Sequence, residues 1–440
     1  MACTASKTPL LRTVASRGYA AQASHKVAAK SGEIQTTTLP NKLIVASTES
    51  SSPVSRISIV YRAGARNEKY DNLGASHMLR IAAGLSTKHA TGFGITRSIQ
   101  QIGGTLSVVG DRETISYTVE VTRDNIETGL KFLEATATGQ IFKPWEISDS
   151  MPRLQVDLAR ISDGARAVDM LNKAAYRTGL GNSLFCPKHH IGKISPEALQ
   201  HYCAENCTTN RTAVVGVGID HNLLSGYAQS LQIESGAGHE NKSKYHGGEL
   251  RADRAGGRAT VAIAAEGGAW ENPQEALAFL VLAGAAGRGP ATKRGGNNGA
   301  LTKAVDSSGN IAVSSLCSIY TDSGLFGFVA SGCGKEIGKA IESGVKALKS
   351  GSISDEDVAR GKEVIKSEIA LCGDSEAGLC EQLGQAAALT GSARSVQATL
   401  AAIDGVQASD VKAAARKVAS GKLSIASVGY LANVPYRDQL

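Results

Sequence analysis

The chain repeats its own plan once. Ser58-Ile59-Val60-Tyr61-Arg62-Ala63-Gly64-Ala65 and Ala262-Ile263-Ala264-Ala265-Glu266-Gly267-Gly268-Ala269 both alternate apolar residues as a half-buried strand does, then reach a small-residue turn. A helix is predicted after each, over Asn72 to Ala83 and Pro273 to Ala286. Gly103-Gly104-Thr105-Leu106 and Ser308-Gly309-Asn310-Ile311 then each open a strand, followed by strands over Ile115 to Val121 and Leu325 to Ala330. A helix capped near Thr122 to Ile126 runs to about Ala137, and Glu336 to Lys349 holds the same place in the second copy. Each copy closes on a helix and a strand. These start at Ser195-Pro196-Glu197 and Thr212 to Val217 in the first, and at Ser409-Asp410 and Leu423 to Val428 in the second. Matching positions lie about 204 to 211 residues apart. A repeat of that length is long enough to be a folding unit with its own core.

Strands come in adjacent pairs and so do helices. That pattern predicts an α+β fold of two tandem similar halves, each a mainly antiparallel sheet packed with helices. Residues 236–257 are rich in Gly, Lys, His, Glu and Asn and nearly without apolar side chains, so they read as an exposed linker. The expected division is 20–235 for the first half, 236–257 for the linker and 258–440 for the second half. Apolar residues make up 42% of the chain, enough for full cores, while aromatics are only 5%. The 49 glycines favour close helix and sheet packing instead. The net charge of +7 is dispersed, which argues against a nucleic-acid surface.

The first thirty residues differ in kind. Lys7, Arg12, Arg17, His25, Lys26 and Lys30 precede the first acid, Glu33, with Ser, Thr and Ala between them. This is the composition of a mitochondrial transit peptide, without the continuous apolar core of a secretory signal. Arg17-Gly18-Tyr19-Ala20-Ala21 resembles a matrix-protease site, with the cut between Tyr19 and Ala20. Segment 1–19 is therefore expected to be removed. The eight cysteines are scattered along a long chain, which points away from a disulfide framework and fits a reducing compartment. The longest apolar run, Ala276 to Gly287, is too short to cross a bilayer.

The first predicted helix carries Gly74-Ala75-Ser76-His77-Met78-Leu79-Arg80-Ile81. In the H-x-x-E-H pattern two His four residues apart bind zinc and the Glu activates a water. Here His77 holds the first His position, Arg80 stands where the Glu would be, and Ile81 where the second His would be. Arg cannot accept a proton at ordinary pH and Ile has no donor atom. The lead-in, Ile57 through Arg62-Ala63-Gly64-Ala65-Arg66-Asn67-Glu68 to Asn72-Leu73-Gly74, resembles the opening of the pitrilysin and mitochondrial processing peptidase family. Ile102-Gly103-Gly104-Thr105-Leu106 and Arg112-Glu113-Thr114-Ile115-Ser116-Tyr117 resemble that family's next two strands. In active members a Glu further on is the third zinc ligand. The matching stretch, Arg153-Leu154-Gln155-Val156-Asp157-Leu158-Ala159-Arg160, offers only Asp157, which the reading pairs with Arg80 across the old site.

Within the family, the degenerate pattern resembles the core-subunit branch found in mitochondrial ubiquinol–cytochrome c reductase, respiratory complex III. The resemblance implies a structural subunit that is no enzyme and has no cofactor and no metal. It would sit peripherally on the matrix side of the inner membrane and support assembly and stability of a dimeric complex. Its partners would be a core protein 1-like subunit, cytochrome b, a cytochrome c-type subunit and the Rieske iron–sulfur protein. The alternative is a presequence-binding, non-catalytic alpha-type subunit of the processing peptidase.

Other constellations read as packing. His201, Cys203 and Cys207, with His189 and His190 upstream, have metal-type residues but lack the spaced pairs of a structural zinc site, so the cysteines count as small apolar residues of a helix. Gly284 to Gly299 holds six glycines with Arg288, Lys293 and Arg294, yet no phosphate-loop string. It reads as a mobile or partner-contacting loop. No Gly-x-Ser-x-Gly elbow and no Cys-x-x-Cys-His haem string occur.

Overall fold

A computed structural model describes residues 33–238, 242–287, 299–305 and 311–440. The transit segment with Tyr19 and Ala20, most of the Gly-rich stretch (Arg288, Lys293 and Arg294 included) and Ser308-Gly309-Asn310 lie outside the described residues.

The first sheet holds β1 (Ile34–Thr38), β2 (Ile44–Thr48), β3 (Val54–Tyr61), β4 (Thr105–Gly110), β5 (Ile115–Thr122) and β6 (Thr212–Val217), in the order β1-β2-β6-β3-β5-β4. The second holds β7 (Glu249–Asp253), β8 (Arg258–Glu266), β9 (Ile311–Ile319), β10 (Gly324–Cys333) and β11 (Ser424–Gly429), in the order β7-β11-β8-β10-β9. All neighbours pair antiparallel except β2 with β6 and β7 with β11. The single parallel pair falls at the same place in both sheets. The repeat in the sequence is thus a repeat of topology, with β1 as an addition to the first copy.

Most helices of each half pack on the core face of that half's own sheet. In the first half they are α1 (Ala75–Ala82), α2 (Gly92–Gln101), α3 (Ile126–Thr138), α4 (Pro144–Asp149) and α5 (Met151–Arg160). After them come α6 (Asp163–Tyr176), α7 (Pro196–Asn206) and α8 (His221–Ser230). In the second half they are α9 (Pro273–Ala286), α10 (Ala300–Val305), α11 (Ile337–Ser350), α12 (Asp355–Asp374), α13 (Glu376–Thr390), α14 (Val396–Gly405) and α15 (Ala408–Ser420). Ser195 caps α7 by accepting the Ala198 N–H, and Pro196 stands in its first turn, where a missing N–H costs nothing. Ile57, Ile59 and Tyr61 of β3 point into the first core, and Val261, Ile263 and Ala265 of β8 into the second.

The strands read as half-buried are buried on both faces. The other face of each sheet is covered by a helix from the opposite half. Ala167, Leu171 and Ala175 of α6 pack on Ala262, Ala264, Ala426 and Val428 of the second sheet. Cys380, Leu383 and Ala387 of α13 pack on Val60, Ala213 and Val215 of the first. Those sheet positions are small or β-branched, which lets the incoming helix lie close. The two helices hold equivalent places in the repeat, so the halves exchange one helix each. Consecutive halves with a simple boundary therefore understate the coupling.

The segment read as a linker differs too. Glu249–Asp253 forms β7, and Tyr245 donates from its hydroxyl to the Lys422 carbonyl at 2.6 Å. Its main chain supplies the hydrogen bonds that its composition hides. Gly284, where the expected helix and the expected loop overlapped, is in α9. A Cβ there would come within 2.6 Å of the Gly361 carbonyl of α12, so the glycine permits the helix crossing.

Candidate functional site

The site begins at the turn before α1. Gly74 has a φ of 93°, in the left-handed region, and a Cβ there would stand 2.8 Å from Cys186. Glu68 is buried beside it. One of its carboxylate oxygens accepts the Gly74 N–H at 2.8 Å; the other accepts the Ser76 N–H at 2.8 Å and the Ser76 hydroxyl at 2.6 Å. It thereby satisfies two donors at the N-terminus of α1, where a negative charge is favoured. Burial pushes its pKa up to about 7, while these three hydrogen bonds and the Arg80 charge pull it back down.

His77 is fully buried, and both of its ring nitrogens are engaged. Nδ1 accepts the Cys186 N–H at 3.1 Å, so the proton sits on Nε2, which donates to Asp157 Oδ2 at 2.7 Å. Phe185 meets the ring edge-on at 6.0 Å between centroids. Burial and the Arg80 charge depress the imidazole pKa, and Asp157 works against them. The residues around His77 therefore favour a neutral ring.

Arg80 does not make the expected ion pair with Asp157. Its guanidinium donates from Nη2 to the Leu184 carbonyl at 2.9 Å, and burial lowers its pKa. Its stem lies against Gly110, where a Cβ would be 2.9 Å from Arg80 Cδ. Asp157 is half exposed on α5 and gives its short contact to His77 instead. The shorter imidazole reaches the carboxylate of the facing helix, whereas the longer Arg side chain extends past it to the 184–186 turn. Ile81 is buried in the first core.

A zinc ion is what the resemblance implies for an H-x-x-E-H helix, and these residues do not fit one. His77 has no lone pair left over, Ile81 offers none, and the Arg80 guanidinium on the same helix is a cation. Among the described residues, no three His, Cys, Asp or Glu side chains stand close enough to hold a metal ion. His190 donates from Nδ1 to the Leu73 carbonyl at 3.0 Å and meets the His189 ring edge-on, while His201 faces Glu205 at 3.6 Å. Cys203 and Cys207 pack against the first core, and contact with Cys203 together with burial raises the Cys207 thiol pKa.

Three residues of the quoted motifs matter more than their sequence suggested. Arg66 binds Glu113 at 2.6 Å within the first half and Asp322 at 2.6 Å in the second. Glu113 also accepts the Thr321 N–H and hydroxyl. Arg112 is buried against Asp169 at 2.6 Å. The Gly-Ala-Arg turn thus ties the two halves together, a role visible only once Asp322 is brought 256 residues along the chain to meet it.

A cavity of about 350 Å³ lies between the first sheet and the start of α13, lined by Arg56, Ser107, Val109, Asp111, Thr118 and Glu381 among others. No helix of the described residues is long and apolar enough to cross a membrane.

Comparison with known proteins bears on all of this. Residues 44–188 match the family model described as insulinase, peptidase family M16, and residues 193–365 match the one described as the peptidase M16 inactive domain. The chain is 38% identical over 419 residues to rat cytochrome b-c1 complex subunit 2, covering 93% of this chain and 92% of the rat protein. It is 27% identical over 423 residues to a probable mitochondrial-processing peptidase subunit alpha-1 of Arabidopsis thaliana, covering 93% of this chain and 84% of that one. Its fold superposes on a chain of the Candida albicans complex III2 structure with a TM-score of 0.81 at 19% identity, covering 92% of this chain and 98% of that chain.

Proposed function

Because this chain belongs to the M16 peptidase family, we propose that it serves as a structural, non-catalytic core subunit of mitochondrial ubiquinol–cytochrome c reductase. The observation that carries this reading is 38% identity over 93% of the chain to a cytochrome b-c1 complex subunit 2. The processing-peptidase alpha relatives match over a similar length at 27% and are the weaker parallel.

The site chemistry supports the reading. A peptidase of this fold needs a metal, two imidazoles and a proton acceptor. At the matching positions this chain has one imidazole already committed to Asp157 and Cys186, a permanent cation at Arg80 and an apolar Ile81. What the fold retains is its form and its contact surfaces. The subunit would sit on the matrix side of the inner membrane and meet the bilayer through its partners: a core protein 1-like subunit, cytochrome b, the cytochrome c-type subunit and the Rieske protein. Residues 1–19 would direct it there and be cut away between Tyr19 and Ala20.

Blue-native electrophoresis of the tagged chain from mitochondria tests the proposal. Co-migration with a haem-containing respiratory assembly is the expected result. Migration as a soluble heterodimer with saturable presequence binding would favour the alpha-type reading instead. Chelator-sensitive peptide cleavage lost in His77→Ala would overturn both.

A further inference from the structure

The turn between α11 and α12, Ser350-Gly351-Ser352-Ile353-Ser354, lines an open hollow of about 480 Å³ whose other wall is Lys412 and Arg416 of α15. Gly351 has a φ of 57°, and a Cβ there would stand 3.3 Å from the Ala419 side chain, so the turn lies directly on α15. Ser350 donates its hydroxyl to the Ala347 carbonyl at 2.7 Å. Ser354 caps α12: its hydroxyl donates to Asp357 Oδ2 at 2.7 Å and accepts the Asp357 N–H at 3.1 Å. Ser352 is exposed, and its hydroxyl has no partner among the described residues. Arg416 is exposed too and has no ion-pair partner among them. Lys412 holds Asp355 at 2.7 Å and, with three N–H donors, has others to give.

The hollow thus sets cations around one free hydroxyl, with Ile353 as its one large apolar side chain. A loose anion gains little at exposed cations. A phosphate held covalently on Ser352 is confined among them at the effective concentration of a tethered group, and a guanidinium pairs it through two parallel N–H···O bonds. The sequence after the turn supplies the other half. Asp355-Glu356-Asp357 begins three residues beyond Ser352, and Asp355 and Glu356 are exposed. Kinases select substrates by charge pattern, so a kinase with a basic peptide groove takes acids on that side of its target hydroxyl. Ser354 has the same acids beside it, but its hydroxyl is held in the α12 cap.

We propose that Ser352 is a phosphorylation site for an acid-directed serine/threonine kinase, and that its phosphate seats on Arg416 and Lys412. The γ-phosphoryl group of ATP passes to Ser352 Oγ. The Oγ–P bond forms as the bridging P–O bond to the β-phosphate breaks, ADP leaves, and the hydroxyl proton goes to the kinase's base. The phosphate brings close to two negative charges to the turn and ties it to α15 by charge-assisted hydrogen bonds. The inference is independent of the zinc-site chemistry and adds a point of regulation to the scaffold role.

The test treats the tagged full-length chain, in the assembly it occupies, with ATP and a recombinant acid-directed serine/threonine kinase. Tandem mass spectrometry should place the phosphate on Ser352. Ser352→Ala, at an exposed position, should abolish that incorporation with assembly unchanged. The double variant D355N/E356Q should slow it severalfold. Hydrogen-exchange mass spectrometry reads the seating: phosphorylation should slow amide exchange over 351–354 by about threefold, as expected for a turn newly held by charge-assisted bonds. Arg416→Ala should leave incorporation intact and remove most of that slowing. Absence of incorporation, phosphate on Ser354 instead, a rate indifferent to D355N/E356Q, or slowing that survives Arg416→Ala would each overturn the proposal. So would incorporation that appears only after the chain is separated from its partners, because the turn would then be covered in the assembly.

Discussion

His77 Nε2 and Asp157 Oδ2 meet at 2.7 Å between α1 and α5, with the imidazole buried and the carboxylate half exposed. This contact occupies the nitrogen that a metal would need. It also raises the imidazole pKa against the stronger effects of burial and Arg80.

Burial and Arg80 hold the folded imidazole below its usual pKa of about 6.5. A base whose pKa falls on folding contributes stability that is fully present above the unfolded value and is lost as pH falls through the folded one. Asp157→Asn removes the influence that raises the pKa, so this loss should extend to lower pH. His77→Gln should flatten it. Urea midpoints between pH 7.5 and 5 measure the effect, and parallel profiles for the three proteins would refute it.

Glu68 works in the opposite sense. Its folded pKa is raised to about 7, so its contribution is fully present below the unfolded carboxyl value and is lost as pH rises toward 7. Glu68→Gln should remove that slope. It should also cost about 1–3 kcal/mol at low pH, because an amide N–H₂ then faces one of the α1 donors. The same urea series reads both changes, and an unaltered pH slope would count against the assignment.

Arg66 joins the halves through Glu113 and Asp322, all largely buried. Arg66→Met leaves two carboxylates without their cation and should destabilise by about 3–5 kcal/mol. Asp322→Asn, which keeps an acceptor for Arg66 and for the Ser243 N–H, should cost less. Chemical denaturation of both variants gives the comparison, and equal losses would contradict the network.

Each half covers the other's sheet with one helix, so the chain should unfold in one cooperative transition rather than two. Leu383→Ala on α13 and Leu171→Ala on α6 should each cost about 2–5 kcal/mol. Probes placed in the opposite half should shift with them. Calorimetry showing two independent transitions, only one of them displaced by each variant, would rule this out.

Much of the fold was legible from pattern alone. The helix expected from Pro273 to Ala286 and the strand from Thr212 to Val217 appear with those limits, because the caps and alternation that define them are local. The strand through Ala262 and Ala264 read as half-buried, since small residues do not announce a partner helix arriving from the other half. Glu68 and Arg66 stood in the quoted motif without a role, because their partners are a turn backbone and a distant Asp322.

By itself the sequence determined the duplication and the α+β class, and it set Arg80 and Ile81 where the H-x-x-E-H pattern has Glu and His. These follow from residue type and spacing, which need no coordinates. Only the tertiary structure decided that His77 takes Asp157 while Arg80 reaches past it to Leu184, and that the halves trade helices. Those outcomes depend on side-chain reach and on which surfaces meet, and residues far apart in the chain settle both.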